Sequence, residues 1–209
     1  MKTVGYFVRH GETEWNVEGK LQGHQDSPLT AHGRYQAACL QRVMKDVPLN
    51  AIYSSPSRRA EHTAEVIRGN HPVPIKLCEE LREIHMGSWE GRRHEELHKE
   101  AAFQCFWSQP HLFKAVHGGE TFDELKERVI PAAESLLRQH KGDHILIVTH
   151  SITLKMIMNS FLNRPLDELW NPPVLQPASL SKVVWEDDKV HIELLGDIAH
   201  YSLDRKSSR

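Results

Sequence analysis

The sequence predicts an α/β domain, a mostly parallel sheet with helices on both faces. Three observations predict it. Short apolar runs of strand length alternate with segments whose apolar residues repeat at helical spacing. One run, His144-Ile145-Leu146-Ile147-Val148-Thr149, is continuously apolar, the pattern of a strand buried on both faces of a parallel sheet. The 209 residues, 39% hydrophobic, suffice for one ordinary core but not for a second full domain, so 1–209 reads as a single domain.

The elements follow in order. Val4-Gly5-Tyr6-Phe7-Val8 is a buried strand, apolar and followed at once by a polar loop. Thr30 is placed to cap a helix whose apolar face is Ala37, Leu40, Met44 and Val47, with Pro48 as its stop. Ala51 to Ser54 is a second strand, and a helix from Ser57 to Arg68 ends at Gly69. Ile75 to Cys78 is a third strand. Leu81 to Gly119 has no strand pattern and gathers Phe103, Phe106, Trp107 and Phe113. It reads as a helical insertion over about 92–118, a lid with an apolar face, though the rings would serve equally as ordinary core. Thr121-Phe122-Asp123-Glu124 is a capping box opening a helix that Pro131 should kink. After the central run, Ser151 to Leu162 is apolar on most sides and should be a buried helix. Ser179 to Trp185 and Val190 to Leu195 flank Asp187-Asp188 as a hairpin. Arg205 to Arg209 is expected to fray.

Composition narrows the function classes. The formal net charge is −2 and the pI about 6.7, which argues against nucleic acid as a partner. The opening apolar run is too short for a secretory leader, and no run approaches the roughly 18 apolar residues of a membrane helix. Three scattered cysteines, Cys39, Cys78 and Cys105, fit a reducing compartment, so a cytoplasmic location is expected. Monomer and homodimer are both open.

In open α/β sheets ligands sit at the carboxyl ends of strands. Here the first strand ends in Arg9-His10-Gly11, the second leads to Arg58-Arg59, and the central strand ends in Thr149-His150 before a helix. Arginine forks and a helix N-terminus suit a phosphate dianion. A neutral histidine can form a covalent phospho-intermediate. Such chemistry also needs an acid for the leaving oxygen and a base for water, and one carboxyl group can serve as both. No Walker-type loop is present to support nucleoside triphosphate binding.

These residues resemble the histidine phosphatase superfamily, also called phosphoglycerate mutase-like. The matching runs are Arg9-His10-Gly11-Glu12-Thr13, Asp26-Ser27-Pro28-Leu29-Thr30, and Ser54-Ser55-Pro56-Ser57-Arg58-Arg59-Ala60. Leu81-Arg82-Glu83 with Gly87-Ser88-Trp89-Glu90-Gly91, His117-Gly118-Gly119-Glu120-Thr121 and Val148-Thr149-His150 complete the set, in the family's order, over about residues 4 to 162. The resemblance implies a three-layer α/β/α sandwich. It implies His10 as nucleophile, Arg9, Arg59 and His150 as the phosphate pocket, and Glu83 as proton donor and then base. It adds Asn16 as a phosphate contact and Gln22 and Gly23 as a substrate loop. It implies a small-molecule phosphate ester as substrate, and neither metal nor other cofactor. Arg59 is preferred to Arg58 from its place before Ala60, and Glu83 to Glu79, Glu80 and Glu90, which read as surface carboxylates. The chain departs from the family at Ser151, where Gly is usual; Ser is small and can cap a helix.

Two rivals need weighing. His94-Glu95-Glu96-Leu97-His98 fits the zinc pattern H-E-x-x-H, but in a chain with 15 histidines a chance match is the plainer reading. A catalytically silent binding member of the fold is disfavoured by the intact set His10, Arg9, Arg59, Glu83 and His150. Within the family, mutases carry Gly-Leu-Asn-Lys after the third motif and an Arg-Arg-Ser-Tyr-Asp run. Here the segment is Gly91-Arg92-Arg93-His94-Glu95 and the second run is absent. The acid phosphatase pattern Arg-His-Gly-x-Arg-x-Pro fails at Thr13 and Trp15. The whole is similar to bacterial broad-specificity phosphatases, with mutase-type transfer as the alternative. Phe103, Phe106, Trp107 and Phe113 suggest an apolar mouth for hydrophobic leaving groups.

Overall fold

The computed structural model describes residues 1–202. Its strands are β1 (Thr3–Arg9), β2 (Leu49–Ser54), β3 (Ile75–Leu77), β4 (His144–Thr149), β5 (Leu180–Glu186) and β6 (Lys189–Asp197). They form a six-stranded sheet in the order β3-β2-β4-β1-β5-β6. Neighbours from β3 to β1 pair in parallel, while β5 runs antiparallel to both β1 and β6. The helices are α1 (Glu14–Val17), α2 (Ala31–Met44), α3 (Arg58–Arg68), α4 (His94–Leu97), α5 (Ala101–Ser108), α6 (Phe122–Gln139), α7 (Ser151–Phe161) and α8 (Ala199–Ser202).

Strand pleating sorts the side chains into two cores. Tyr6 and Val8 of β1 pack with Leu40 and Met44 of α2 and Ala64 and Ile67 of α3. Phe7, between them in sequence, joins Leu125 and Val129 of α6 and Ile157 and Phe161 of α7. The result is the expected three-layer α/β/α arrangement. The continuously apolar β4 is central because it must bury both faces, and Ile145 to Val148 are all fully buried.

Several boundaries shift for local reasons. The helix expected to reach Val47 ends at Met44, and Val47 continues it only as a turn, its N–H donating to Met44 O at 3.0 Å. β3 is a three-residue edge strand with Lys76 and Leu77 exposed. α6 begins at the Thr121–Glu124 capping box and continues through Pro131 to Gln139. Asp187 and Asp188, both with φ above +50°, make the two-residue turn between β5 and β6, as a primed hairpin turn requires. The Arg205 to Arg209 run lies outside the described residues. Among the described residues no helix is long and apolar enough to cross a membrane.

The segment 92–118 is helical, with α4, α5 and a 3-10 turn at Pro110–Leu112. Its aromatics divide. Phe103, Phe106 and Phe113 are buried around Trp89, making edge-on and tilted ring contacts, and Phe106 continues to Phe122 and Trp170. Only Trp107 of the four stays open, 37% exposed. The mouth lined by four rings is therefore corrected to one ring at a cavity and three in the core. Their i, i+3 spacing from Phe103 to Phe106 places both on the inner face of a short helix, with Trp107 at its margin.

Parallel register brings the chemistry-bearing ends together. Arg9 pairs with Thr149 at the ends of β1 and β4. The His10 N–H then donates to Thr149 O at 2.9 Å, and the Ser55 N–H to Val148 O at 2.9 Å. Three strand ends stop at one level, where α7 begins.

Candidate active site

Arg9, His10, Asn16, Gln22, Gly23, Arg59, Glu83 and Ser151 line one cavity of about 150 Å³. His150 lies fully buried beside it, its ring centroid 5.3 Å from that of His10. The predicted residues, scattered from 9 to 151, are thus brought to one place.

His10 is 3% exposed. Its Nδ1 lies 2.7 Å from Gly11 O. A carbonyl only accepts, so Nδ1 carries the proton and Nε2 keeps its lone pair. Burial first, then the Arg59 and Arg9 charges, holds His10 well below the usual histidine range. The ring is a neutral imidazole with a free nitrogen.

His150 Nε2 meets Ser55 Oγ at 2.7 Å, and its buried Nδ1 has no partner among the described residues. Burial, again ahead of Arg59, holds it well below the usual range. Arg9 Nη1 donates to Leu175 O at 2.7 Å. Burial pushes the Arg9 guanidinium down to about 10, opposed by the Glu83 carboxylate, so it remains a cation at neutral pH. The buried Nε atoms of Arg9 and Arg59 have no acceptor among the described residues.

Arg59 is 1% exposed and braces the loop around Gly23. Nη1 donates to Gln25 O at 2.7 Å and to Asp26 Oδ1 at 2.9 Å, and Nη2 to Gly23 O at 2.8 Å. Arg58 beside it is exposed and offers only its backbone N–H to Asp26. Gly23 has φ +54°, and a Cβ there would collide with the Glu90 carboxylate. Gln22 is held at both ends, donating to Thr13 Oγ1 at 2.8 Å and accepting from Ser27 Oγ at 3.2 Å. Asn16 Oδ1 accepts from Thr13 N–H at 3.1 Å as half of a capping box, which leaves its amide nitrogen for the cavity.

Glu83 sits at the N-terminus of α7. Oε1 accepts from Ile84 N, Thr153 N and Thr153 Oγ1 at 3.1, 2.9 and 3.0 Å. Oε2 accepts from Ile152 N at 3.0 Å. The carboxylate thus satisfies the open end of the helix, where the dipole favours negative charge. Ser151 does not cap: it is the first residue inside α7, and the N-cap position belongs to His150. Its small side chain lines the cavity instead.

Glu90 corrects the reading of it as a surface carboxylate. Its side chain is 5% exposed. Oε1 accepts from His24 N at 2.8 Å and Met86 N at 3.1 Å, and Oε2 from Gln25 N at 3.0 Å. It therefore pins the loop that Arg59 grips from the other side. Ser55, Lys20 and Met86 also escaped the sequence reading of the site, whereas Trp107 was expected at an apolar mouth and His94 was read only within the zinc pattern. Ser55 had a signal, its place at a strand end, but Lys20 and Met86 come from irregular segments whose approach no local pattern encodes.

The zinc pattern does not assemble. α4 is a single turn, His98 Nδ1 is 2.6 Å from Glu95 O, and the His94 ring meets Phe103 edge-on and Trp107 at a tilt. Among the described residues no group of three His, Cys, Asp or Glu side chains is placed to hold a metal ion.

A dianion-sized pocket that gathers a neutral imidazole, two arginines and a carboxylate beyond the carboxyl ends of the strands suits phosphoryl transfer. The chain belongs to the histidine phosphatase superfamily, branch 1, whose family model matches residues 5–198. It is 34% identical over 199 residues to a metal-independent phosphoserine phosphatase of Arabidopsis thaliana, covering 93% of this chain and 82% of that one. It is also 34% identical over 206 residues to the Escherichia coli protein named probable phosphoglycerate mutase GpmB, covering 93% of each. Among solved structures, Bacillus stearothermophilus YhfR superposes with a TM-score of 0.91 at 44% identity, over 95% of this chain and 98% of that one. By family and relatives it is an enzyme of the phosphatase class, a phosphoric monoester hydrolase.

Proposed function

We propose that the protein hydrolyses small-molecule phosphate monoesters through a phosphohistidine on His10. The observation that supports this most is the Nδ1 bond to Gly11 O, which leaves Nε2 with the lone pair a nucleophile needs. The ester's phosphoryl group lies against Arg9, Arg59 and His150, with Asn16 as a further donor. If the Ser55 hydroxyl donates to His150 Nε2, the Nδ1 proton faces the phosphate. Nε2 of His10 attacks phosphorus, the P–O bond to the ester oxygen breaks, and protonated Glu83 gives that oxygen its proton. Glu83, now a carboxylate, takes a proton from water, whose oxygen attacks the phosphohistidine. The N–P bond breaks, and His10 and inorganic phosphate are released. Oε2 of Glu83 suits the proton-carrying role, because it accepts one hydrogen bond where Oε1 accepts three.

Hydrolysis is preferred to mutase-type transfer on the charges around the cavity. A substrate bearing phosphate and carboxylate needs further cations. Arg92 is bound to Glu100 at 2.8 Å, and neither Arg92 nor Arg93 lines the cavity. Lys20 does line it, but pairs with Glu18 at 2.6 Å. An apolar compartment of about 300 Å³ adjoins instead, sharing Trp107, Ser151 and Ile152 with the phosphate cavity and walled by Trp170, Val174 and Leu175; the Lys155 ammonium that also lines it is held by the carbonyls of Asn171 and Pro173. This supports broad specificity with a preference for esters of apolar or aromatic alcohols. The segment 92–118 covers the cavity as a lid through His94 and Trp107. The unpaired Cys39, Cys78 and Cys105 suit a reducing compartment, so we place the enzyme in the cytoplasm.

The test is a panel of phosphate monoesters with a bisphosphoglycerate-dependent mutase assay in parallel, and acid-labile phosphoenzyme trapping. Hydrolysis of aryl and alkyl esters with label on His10 is expected. Phosphate exchange between phosphoglycerates without hydrolysis would overturn the phosphatase reading.

A further inference from the structure

The run Trp170 to Leu175 has no regular secondary structure, yet it is tied down along its length. Trp170 Nε1 donates to Phe106 O at 2.8 Å. Asn171 O and Pro173 O both accept from Lys155 Nζ, the second at 2.9 Å. Leu175 O accepts from Arg9 Nη1 at 2.7 Å. The strap thus begins on the 92–118 segment, crosses α7 and ends on a guanidinium of the phosphate cavity.

Lys155 is the anomaly in this arrangement. It is more than nine-tenths buried in a helix that is otherwise apolar or small and polar. Burying an ammonium is costly unless acceptors compensate, and burial does hold Lys155 below the usual lysine range. The two acceptors are both strap carbonyls. Residue 155 lies one turn beyond Ser151, on the helix face that looks into the apolar compartment. The same helix receives the Glu83 carboxylate at its N-terminus. Lys155 therefore fixes the strap to the rigid body that carries the acid and His150.

We propose that Lys155 is a positioning residue for Arg9, holding the strap so that Leu175 O aims the Arg9 guanidinium at the phosphate. The inference rests on the reading of Arg9 as a phosphate ligand. A lysine that merely stabilised the fold would weaken the protein without singling out Arg9. A double-mutant cycle separates the two, because only coupled residues depart from additivity.

The experiment measures the dissociation constant of inorganic phosphate by calorimetry in four proteins: parent, Lys155→Met, Arg9→Gln and the double variant. With Arg9 present, Lys155→Met should weaken phosphate about tenfold. In the Arg9→Gln background it should change affinity by less than about twofold. Lys155→Arg, whose fork can reach both carbonyls, should recover most of the loss. Equal weakening in both backgrounds, or none with Arg9 present, would overturn the inference. Should Lys155→Met not fold, Lys155→Gln takes its place in the same cycle, with the same outcomes. A parent that binds no phosphate takes down the reading of the site as well; a parent that binds it with an additive cycle takes down Lys155 alone.

Discussion

The floor of the cavity and its walls are held by different means. On the floor, backbone does the placing. His10 is fixed by the pairing of β1 with β4, and Glu83 by the N–H groups of Ile152 and Thr153 at the start of α7. In the walls, isolated side chains do it. Glu90 and Arg59 hold the loop at Gly23 to Asp26, and Lys155 holds the strap at Asn171 to Pro173. A floor residue cannot shift without disturbing backbone bonds of the sheet or of the first turn of α7, whereas a wall moves when one side chain changes. Floor substitutions should therefore act on kcat, and wall substitutions on KM and on the choice of ester.

His10→Ala strikes the floor hardest. It removes the proposed nucleophile while leaving the strand in register. Turnover of p-nitrophenyl phosphate should fall at least about 10⁴-fold, with no acid-labile phosphoenzyme. A variant that kept a tenth of the rate would break the comparison at its base. Glu83→Gln keeps the shape and one acceptor oxygen but cannot carry a proton. For alkyl phosphates kcat should fall about 10²- to 10³-fold. In kcat/KM, which reports transfer to His10 and not the later attack of water, the p-nitrophenyl ester should fall much less, because its leaving group needs little protonation. Equal losses on both esters would remove Glu83 from the acid role.

The floor also carries a pH signature. His10 and His150 have folded pKa values depressed chiefly by burial. As pH falls below about 6.5, the unfolded chain binds protons that the folded imidazoles refuse. Stability is therefore complete above that pH and is lost progressively below it, by up to about 1.4 kcal/mol per pH unit for each group. His24, His94 and His200, lowered by the same cause, act in the same direction. Urea midpoints at pH 7.5 and 5.5 check the sign. Activity should persist through the ordinary histidine range, because His10 remains neutral there. An acid limb centred near pH 6.5 would contradict that.

Glu90→Gln tests the first wall. The amide keeps one neutral acceptor oxygen, so all three backbone N–H groups at His24, Gln25 and Met86 lose a charged partner and at least one loses its acceptor. KM for a phosphate ester should rise about tenfold, with kcat within about threefold of the parent. Steady-state kinetics decide it. A fall in kcat as large as that of Glu83→Gln would erase the distinction between floor and wall.

The same division explains what the sequence disclosed. The floor was legible because each part is local: an apolar run, then a charged or imidazole residue, then a helix start. β4 shows it best, with Ile145 to Val148 followed at once by His150. The pairing of those runs into one sheet followed from parallel α/β rules and from the family's motif order. The walls were not legible. Glu90 looks like its neighbours Glu79 and Glu80 until the Gly23 loop folds over it. Lys155 looks like a solvated helix residue until Asn171 and Pro173 arrive. Phe103 and Phe106 were ambiguous because apolar spacing marks a buried face without saying whether ligand or protein fills it.

Trp107→Ala is the smallest expected effect and the finest test of the walls. The ring borders both the phosphate cavity and the apolar compartment and lies tilted against Trp170, the ring centroids 4.5 Å apart. At 37% exposed it contributes less to the core than Phe103 or Phe106, so its loss should leave the fold intact. It touches neither His10 nor Glu83 through any hydrogen bond, so the chemical step should be spared. What it removes is apolar surface against the leaving group. One partly exposed ring is worth about 1 kcal/mol of contact, or roughly fivefold in kcat/KM. That loss should fall on naphthyl and phenyl phosphates and spare glycerol phosphate, which has no ring to seat. Phe106→Ala should do the reverse, lowering thermal stability while leaving the ratio of aryl to glycerol rates near the parent's, because its ring faces the core. If both variants left that ratio unchanged, the apolar compartment would not be where the leaving group goes.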